Sequence, residues 1–256
     1  MIIYVRLELE NPVSFRGLTL GKKPLTCVVV TTIEDLIKAE KLNVDLDEVR
    51  FDHMLLKERY SIDHLLEKIS NAKIPLIFTV RHHEESDLGE KAVKLSDEER
   101  VKVYERAITI HNVKLIDVEL RSVKQSDIFQ EVVKNAKNNG VGVILSYHNF
   151  KLTPSMDELR RIVEEENYYD ANVLKITTMI SDVKDLLTLI NLTYETRNKL
   201  KKPLIFIGMG NLGKISRILN VAFGNDIVYS HIGNSTAPGQ LLLDDTKRLL
   251  SLFFTD

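Results

Sequence analysis

Only one cysteine occurs in the 256 residues, Cys27, set in the apolar run Leu25-Thr26-Cys27-Val28-Val29-Val30. A lone thiol excludes a disulfide framework or a zinc cluster within one chain. Its apolar neighbours make it a buried structural residue. Excess charge is also missing: 35 basic against 37 acidic residues leave a formal net charge of −2. That gives too little long-range field to gather phosphate backbones or anionic lipid, so neither nucleic acid nor membrane is expected as a partner. No run approaches the roughly 18 apolar residues of a membrane span. The first residues, with Glu8 and Glu10 among them, lack the apolar core of a secretory signal, and the expected location is the cytoplasm. No Pro/Gly/Ser-rich linker divides the chain, and no short-period repeat is visible.

What is present is ordinary in amount and regular in order. With 44% hydrophobic and 28% charged residues, the chain has the composition of a globular protein with a real core. From Leu25 onward, short β-branched runs alternate with longer stretches of helical period, the pattern of successive βα units on a parallel sheet. The runs are Leu25–Thr31, Leu46–Asp52, Pro75–Arg81, Val113–Leu120, Val141–Tyr147, Asn172–Thr178, Pro203–Ile207 and Asp226–Ser230. Amphipathic stretches lie between them, such as Asp97–Ile110, Ser122–Asn139, Pro154–Glu166 and Ser181–Leu200, with Ser96/Glu99 and Ser181 as cap signals. Eight such pairs suit a closed (β/α)8 barrel, whereas an open doubly wound sheet usually stops at five or six strands. One barrel domain over residues 1–256 is therefore expected. Residues 1–24 precede the first pair; Ile2–Leu9 alternates like a strand, and the segment is expected to form a β-hairpin closing the barrel floor.

Strands of such a barrel are buried on both faces, so charged residues within them need a reason. A period of two puts Glu48, Arg50 and Asp52 on one face, and likewise Asp117 with Glu119, Ser146 with His148, and Lys175 with Thr177; Arg81 ends its strand. Three positive and four negative side chains nearly compensate each other. Any one of them alone could be a structural ion pair. Together they fall near the C-terminal strand ends, where barrel active sites collect.

Lys175 is costly as a buried ammonium, and desolvation moves its amine toward a usable nucleophile; the plain alternative is a lysine snorkelling outward between helices. His148, one strand earlier, suits acid/base work near neutral pH, although a strand histidine can equally be a satisfied core residue. Asp117 could fix its tautomer. Gly208-Met209-Gly210 through Ser216-Arg217 looks like an anion-binding loop ahead of a helix, or a plain turn. Asn234-Ser235-Thr236-Ala237-Pro238-Gly239-Gln240 adds a hydroxyl and an amide on a rigid turn, so that Arg217, Thr236 and Gln240 could ring a carboxylate.

Taken in order, these residues resemble type I 3-dehydroquinate dehydratase, the imine-forming dehydroquinase of the shikimate pathway. The resemblance rests on Glu48-x-Arg50-x-Asp52, Phe78-Thr79-Val80-Arg81 with Glu85, Asp117-Val118-Glu119, Ser146-Tyr147-His148-Asn149-Phe150, Lys175-Ile176, Gly208-Met209-Gly210 with Ser216-Arg217, and Ala237-Pro238-Gly239-Gln240. It implies a cofactor-free, metal-free syn elimination of water from 3-dehydroquinate to 3-dehydroshikimate, and commonly a homodimer. Lys175 would form the imine and His148 would move the protons. Glu85 and Asp117 would orient His148; Arg217 would hold the substrate carboxylate with Thr236 and Gln240; Glu48, Arg50 and Arg81 would read the ring hydroxyls. The chain departs from the pattern in Thr236, where serine is usual, in His82-His83-Glu84-Glu85-Ser86 after Arg81, and in Val29, where a small polar residue is common. A lysine-imine aldolase and a non-catalytic metabolite-binding barrel are the competing readings: Ala237-Pro238-Gly239-Gln240 with Glu48, Arg50 and Arg81 suits a carboxylated polyol better than an aldolase's phosphorylated substrate, and the Lys175/His148/Arg217 set argues against a binder, which has no need of an imine-forming lysine.

Overall fold

The structure is a computed structural model that describes residues 6–233 and 235–254. Ile2–Val5 of the expected N-terminal strand and Asn234 lie outside the described residues. In chain order the elements are β1 (Val13–Phe15), β2 (Leu18–Leu20), β3 (Leu25–Val30), α1 (Ile33–Glu40), β4 (Leu46–Arg50), α2 (Phe51–Lys57) and α3 (Ile62–Ser70). Next come β5 (Leu76–Thr79), α4 (Asp97–Thr109), β6 (Val113–Glu119), α5 (Leu120–Gln125), α6 (Asp127–Asn138), β7 (Gly142–Asn149) and α7 (Met156–Tyr168). The chain continues through β8 (Val173–Met179), α8 (Val183–Leu200), β9 (Leu204–Met209), α9 (Gly210–Ala222), β10 (Ile227–His231), β11 (Leu241–Leu242) and α10 (Leu243–Phe254). Each strand from the expected set is present and a helix follows each, α10 after β10 being preceded by the short β11.

The chain forms two compact units. One comprises Phe15–Leu18 and Cys27–Leu145; the other runs from Ser146 onward and includes Thr19–Thr26 and the segment ending at Ser14.

In the first unit β4 pairs in parallel with β3 and β5, and β5 with β6. The register aligns Arg50 with Thr79 and Thr79 with Asp117, and one pleat earlier Glu48 with Ile77. Partners in register point to one side, so the ionic residues share a face. Asp47, Val49 and Phe78 take the opposite face, where Phe51, Phe78, Tyr104 and Phe129 form a buried aromatic row. Arg16, at the tip of the β1–β2 hairpin, closes the N-terminal strand ends: its guanidinium donates to the carbonyls of Ile108, Ile110, Val113 and Asn139 at 2.7–3.1 Å.

In the second unit β8 pairs in parallel with β9, aligning Lys175 with Ile205 and Thr177 with Ile207, and β10 pairs in parallel with β11. Buried Asp226 accepts from Arg6 Nη2 at 2.6 Å, Arg197 Nη2 at 2.5 Å and the Leu204 amide at 2.9 Å. Two guanidiniums and an amide leave this carboxylate fully solvated by protein, which is what makes its burial tolerable. Val221, Val228 and Leu250 form a core cluster beneath α9 and α10.

Several local expectations change. The hairpin forms over Val13–Leu20, turning at Arg16 and Gly17 with φ of 46° and 88°; successive positive φ values make the tight turn whose twist matches paired strands, and a two-residue turn holds a hairpin better than alternation alone. Asp52 leaves the strand and enters the first turn of α2, where its carboxylate stays with Arg50 at 2.8 and 3.0 Å. The single helix expected over Ser122–Asn139 breaks at Ser126, whose φ of −148° ends α5 and begins α6. Gln130 Nε2 takes up the released Val123 carbonyl at 3.1 Å. Asp182, not Ser181, caps α8, accepting from the Asp185 amide at 2.9 Å. The Ser96/Glu99 capping box forms as expected.

Candidate active site

The first unit carries an ionic network on its C-terminal strand ends. Arg81 Nη1 lies 3.0 Å from Asp117 and 3.2 Å from Glu119, and Nη2 lies 3.9 Å from Glu48. Glu48 also accepts from Thr79 Oγ1 at 2.6 Å. Glu119 is shared further: it accepts from the His82 amide at 2.8 Å, from Ser122 Oγ at 3.2 Å and from Arg100. Arg50 completes the network, gripping Asp52 with two nitrogens and lying 2.8 Å from Asp87, which also contacts His53 Nε2 at 3.1 Å. Burial works against the charge on Arg50, yet Asp52 and Asp87 outweigh it and hold the guanidinium firmly protonated. The same balance holds for Arg81, where burial is outweighed by Asp117, Glu119 and Glu48.

Glu84 and Glu85 separate cleanly. Glu84 faces solvent in an ion pair with Arg121, whose hydrogen bond and charge lower its carboxyl. Glu85 is half-buried at the end of a single 3-10 turn, His83–Glu85. Burial and the charge of Glu119 push its carboxyl up to about 8, against the pull of Arg81.

The second unit holds the lysine. Lys175 sits in mid-β8 and is 4% exposed. Its Nζ lies 3.2 Å from Tyr229 Oη and 4.6 Å from the centre of that ring. The snorkelling alternative is thereby excluded, because the amine stays buried among strands. Thr177, two residues on and on the same face, is buried with no protein partner for its hydroxyl. His148 is half-buried near the end of β7, its ring stacked at 6.2 Å on Phe150.

Arg217 rises from α9. The Gly208–Gly210 stretch is no open anion cradle: β9 runs directly into α9, and a Cβ on Gly213 would sit 2.5 Å from the Gly208 carbonyl. The glycines let helix and strand touch, bringing Arg217 close to the strand end. The residue is 3% exposed; Nη2 donates to the Pro238 carbonyl at 3.4 Å and Nε has no protein partner. Burial alone lowers it to about 10. A buried cation with so few acceptors keeps donor capacity that an anion can use.

The segment around Pro238 is held against α9. Gly210 N donates to the Pro238 carbonyl at 3.1 Å, and a Cβ on Gly239, whose φ is +77°, would lie 2.2 Å from the Gly210 oxygen. Gln240 spends both ends of its amide on the loop: Oε1 accepts from the Thr236 amide at 2.9 Å and hydroxyl at 3.2 Å, while Nε2 donates to the Ser230 carbonyl at 3.0 Å. Among the described residues no group of three or more His, Cys, Asp or Glu converges as metal ligands, and no helix is long and apolar enough to cross a membrane.

Three contributors escaped the sequence reading. Arg100 occupies an apolar-stripe position of α4 with Val103, Tyr104, Ala107 and Ile108, a signal the periodicity does contain. Asp87 lies in an irregular loop that offers no periodicity. Tyr229 reads as one more aromatic strand residue until Lys175 is seen beside it.

A parallel α/β frame with a buried lysine on one strand, a histidine on the strand before it and an incompletely partnered arginine on a later helix has the parts that a lysine-imine enzyme uses. The comparisons with known proteins narrow this class. The family model described as Type I 3-dehydroquinase matches residues 25–256, and the chain belongs to that family, whose members are hydro-lyases. A 3-dehydroquinate dehydratase of Geobacillus sp. is 31% identical over 256 residues, covering 95% of each chain. That of Methanocaldococcus jannaschii is 36% identical over 227 residues, covering 88% of this chain and 96% of the relative. The crystal structure of the Geobacillus kaustophilus 3-dehydroquinate dehydratase matches with a TM-score of 0.85 at 26% identity, over 98% of both chains. The expected barrel fold is thus the fold of this family. A type I 3-dehydroquinate dehydratase from Clostridium difficile, solved with covalent modified comenic acid, matches with a TM-score of 0.82 at 28% identity, over 94% of this chain and 97% of that one.

Proposed function

We propose that this chain removes water from 3-dehydroquinate, giving 3-dehydroshikimate, through an imine on Lys175. The observation that carries this reading is the buried Lys175 amine on a strand of a chain matched by the family from 25 to 256. The neutral amine adds to the C3 ketone, and loss of water from the carbinolamine leaves an iminium. His148 takes the C2 proton, and the freed electron pair moves into the iminium to give an enamine. The enamine returns that pair as the C1 hydroxyl leaves, protonated by His148, as water. Hydrolysis of the iminium releases product and restores Lys175, so one water is lost overall.

The remaining roles follow the local geometry. Arg217, with unused donor capacity, takes the substrate carboxylate beside the Thr236 hydroxyl; Gln240, with both ends of its amide spent on the loop, serves by keeping Thr236 in place. Glu48, Arg50 and Arg81 read ring hydroxyls from their fixed network. Glu85, rather than Glu84, orients His148 together with Asp117, because Glu84 is exposed and paired with Arg121 whereas Glu85 is half-buried. Near neutral pH a Glu85 carboxyl pushed up to about 8 is protonated, so it can donate a hydrogen bond as well as accept one. Neither metal nor cofactor enters this scheme. The chain is read as a single barrel domain that works in the cytoplasm and assembles as a homodimer. Half-exposed Ile215, Leu219 and Phe253 on α9 and α10 support that assembly, and light scattering should return twice the chain mass, a monomer mass removing this part.

The test is reduction with borohydride in the presence of 3-dehydroquinate, followed by mapping of the adduct. The expected result is one adduct on Lys175, and an unmodified Lys175 would falsify the scheme. His148→Ala should still trap the imine while turnover falls by about 10²–10⁴-fold, the usual worth of an acid/base group. Turnover at the wild-type rate would remove His148 from the mechanism.

A further inference from the structure

We infer that Tyr229 is a positioning residue for the Lys175 imine, its hydroxyl accepting the N–H that the iminium keeps and its ring face carrying the positive charge. The inference rests on the reaction proposed above and assigns a residue that the reading of the sequence left out. Both side chains are buried on regular strands, Lys175 in β8 and Tyr229 in β10, so their backbones hold the pair in place. The contact is double: Nζ to Oη at 3.2 Å, and Nζ to the ring centre at 4.6 Å, within the reach of a cation–π interaction.

The chemistry of the nitrogen says what this contact is for. An ammonium has three N–H donors; an iminium formed with a ketone has one, no lone pair, and a full positive charge. The charge makes the iminium an electron sink, and loss of that last proton would leave a much weaker one. Keeping the proton requires an acceptor for it and a negative potential around it, and Tyr229 offers both from one side chain. A carboxylate in this position would serve worse, since it would ion-pair with the free ammonium and hold the lysine in its non-nucleophilic form. A phenol oxygen is neutral, so it accepts the hydrogen bond without that penalty. The contact also fixes the rotamer of a long, flexible side chain, so that the amine meets the ketone from one direction.

Tyr229→Phe keeps the ring and removes the acceptor; Tyr229→Leu removes both. In Tyr229→Phe, borohydride should trap the Lys175 adduct to the wild-type extent at saturating substrate. Its kcat should fall about tenfold, a barrier change of about 1.4 kcal/mol, with KM within about twofold of wild type. Tyr229→Leu should lose a further factor of about ten in kcat and trap less adduct. Wild-type kcat in Tyr229→Phe overturns the role of the hydroxyl, as does a rise in KM at constant kcat, which would make Tyr229 only a wall of the pocket. Equal kcat in the two variants overturns the role of the ring. If Tyr229→Leu does not fold, Tyr229→Phe still decides the hydroxyl, since it alters no packing. A wild-type chain that forms no adduct on Lys175 sinks the underlying reaction instead, so the two failures are told apart.

Discussion

At the scale of the residue, Arg217 is the group whose surroundings are least complete. Other buried arginines of the second unit have carboxylate partners, as Arg6 and Arg197 have Asp226. Arg217 has the Pro238 carbonyl at 3.4 Å and an unpartnered Nε, and burial alone brings it down to about 10. An unpaired buried cation is a cost to the fold that a bound carboxylate would remove. Stability and affinity should therefore move in opposite directions in Arg217→Met. Removing the charge should leave the melting temperature unchanged or raised, since no ion pair is broken. The KM for 3-dehydroquinate should rise by at least about 100-fold, since two charge-assisted hydrogen bonds at about 1.5–3 kcal/mol each are lost. Thermal melts and steady-state kinetics on the same preparation check both signs; a destabilised variant with ordinary KM would assign Arg217 to structure alone.

At the scale of the element, what the sequence disclosed depended on whether neighbouring residues or distant ones set the outcome. The strands around Val28, Ile77, Ile116, Ile144, Ile176 and Ile205 were legible because burial on both faces forces continuous β-branched runs. Parity found the shared face of Glu48 and Arg50, but extending it to Asp52 failed where the strand turned into α2. Asp52 kept its partner nonetheless, since Arg50 is long enough to follow it into the first turn. Cap residues were legible where one candidate stood alone, as at Ser96, and ambiguous where Ser181 and Asp182 stood side by side. The second won because its carboxylate reaches the Asp185 amide while the Asp185 side chain accepts from Ser181 N at 2.9 Å. Long-range partners were the blind spot. Tyr229 and Lys175 are 54 positions apart, and no local pattern announces such a pair. The glycines after β9 read as an anion loop for the same reason: their purpose is contact between α9, β9 and the Pro238 segment, visible only when all three are in place.

At the scale of the whole molecule, acidic groups divide into those the fold keeps ionised and those it keeps protonated, and the second kind sets a pH dependence. Asp87 and Glu119 are held low because, although burial opposes it, His53 and arginines lie against them. Asp47 is the reverse case: it is fully buried on the helix-facing side of β4, has no partner for either carboxylate oxygen, and is raised from 3.8 to about 8 by burial and then by Glu40. Below its ordinary value both folded and unfolded chains hold the proton, so Asp47 contributes no pH dependence there. As pH rises from about 4 toward 8 the folded chain keeps a proton that the unfolded chain has released, and stability falls by about 1.4 kcal/mol for each pH unit. Above about 8 both states are ionised and the loss is complete. Asp47→Asn keeps the shape and abolishes the titration. Its melting temperature should match wild type near pH 4, exceed it increasingly up to pH 8, and hold that margin beyond. A margin that stays constant across the whole range would mean that Asp47 carries the same charge in both states, and its burial in neutral form would have to be abandoned. Activity should be untouched at each pH, because Asp47 faces away from Glu48 and Arg50.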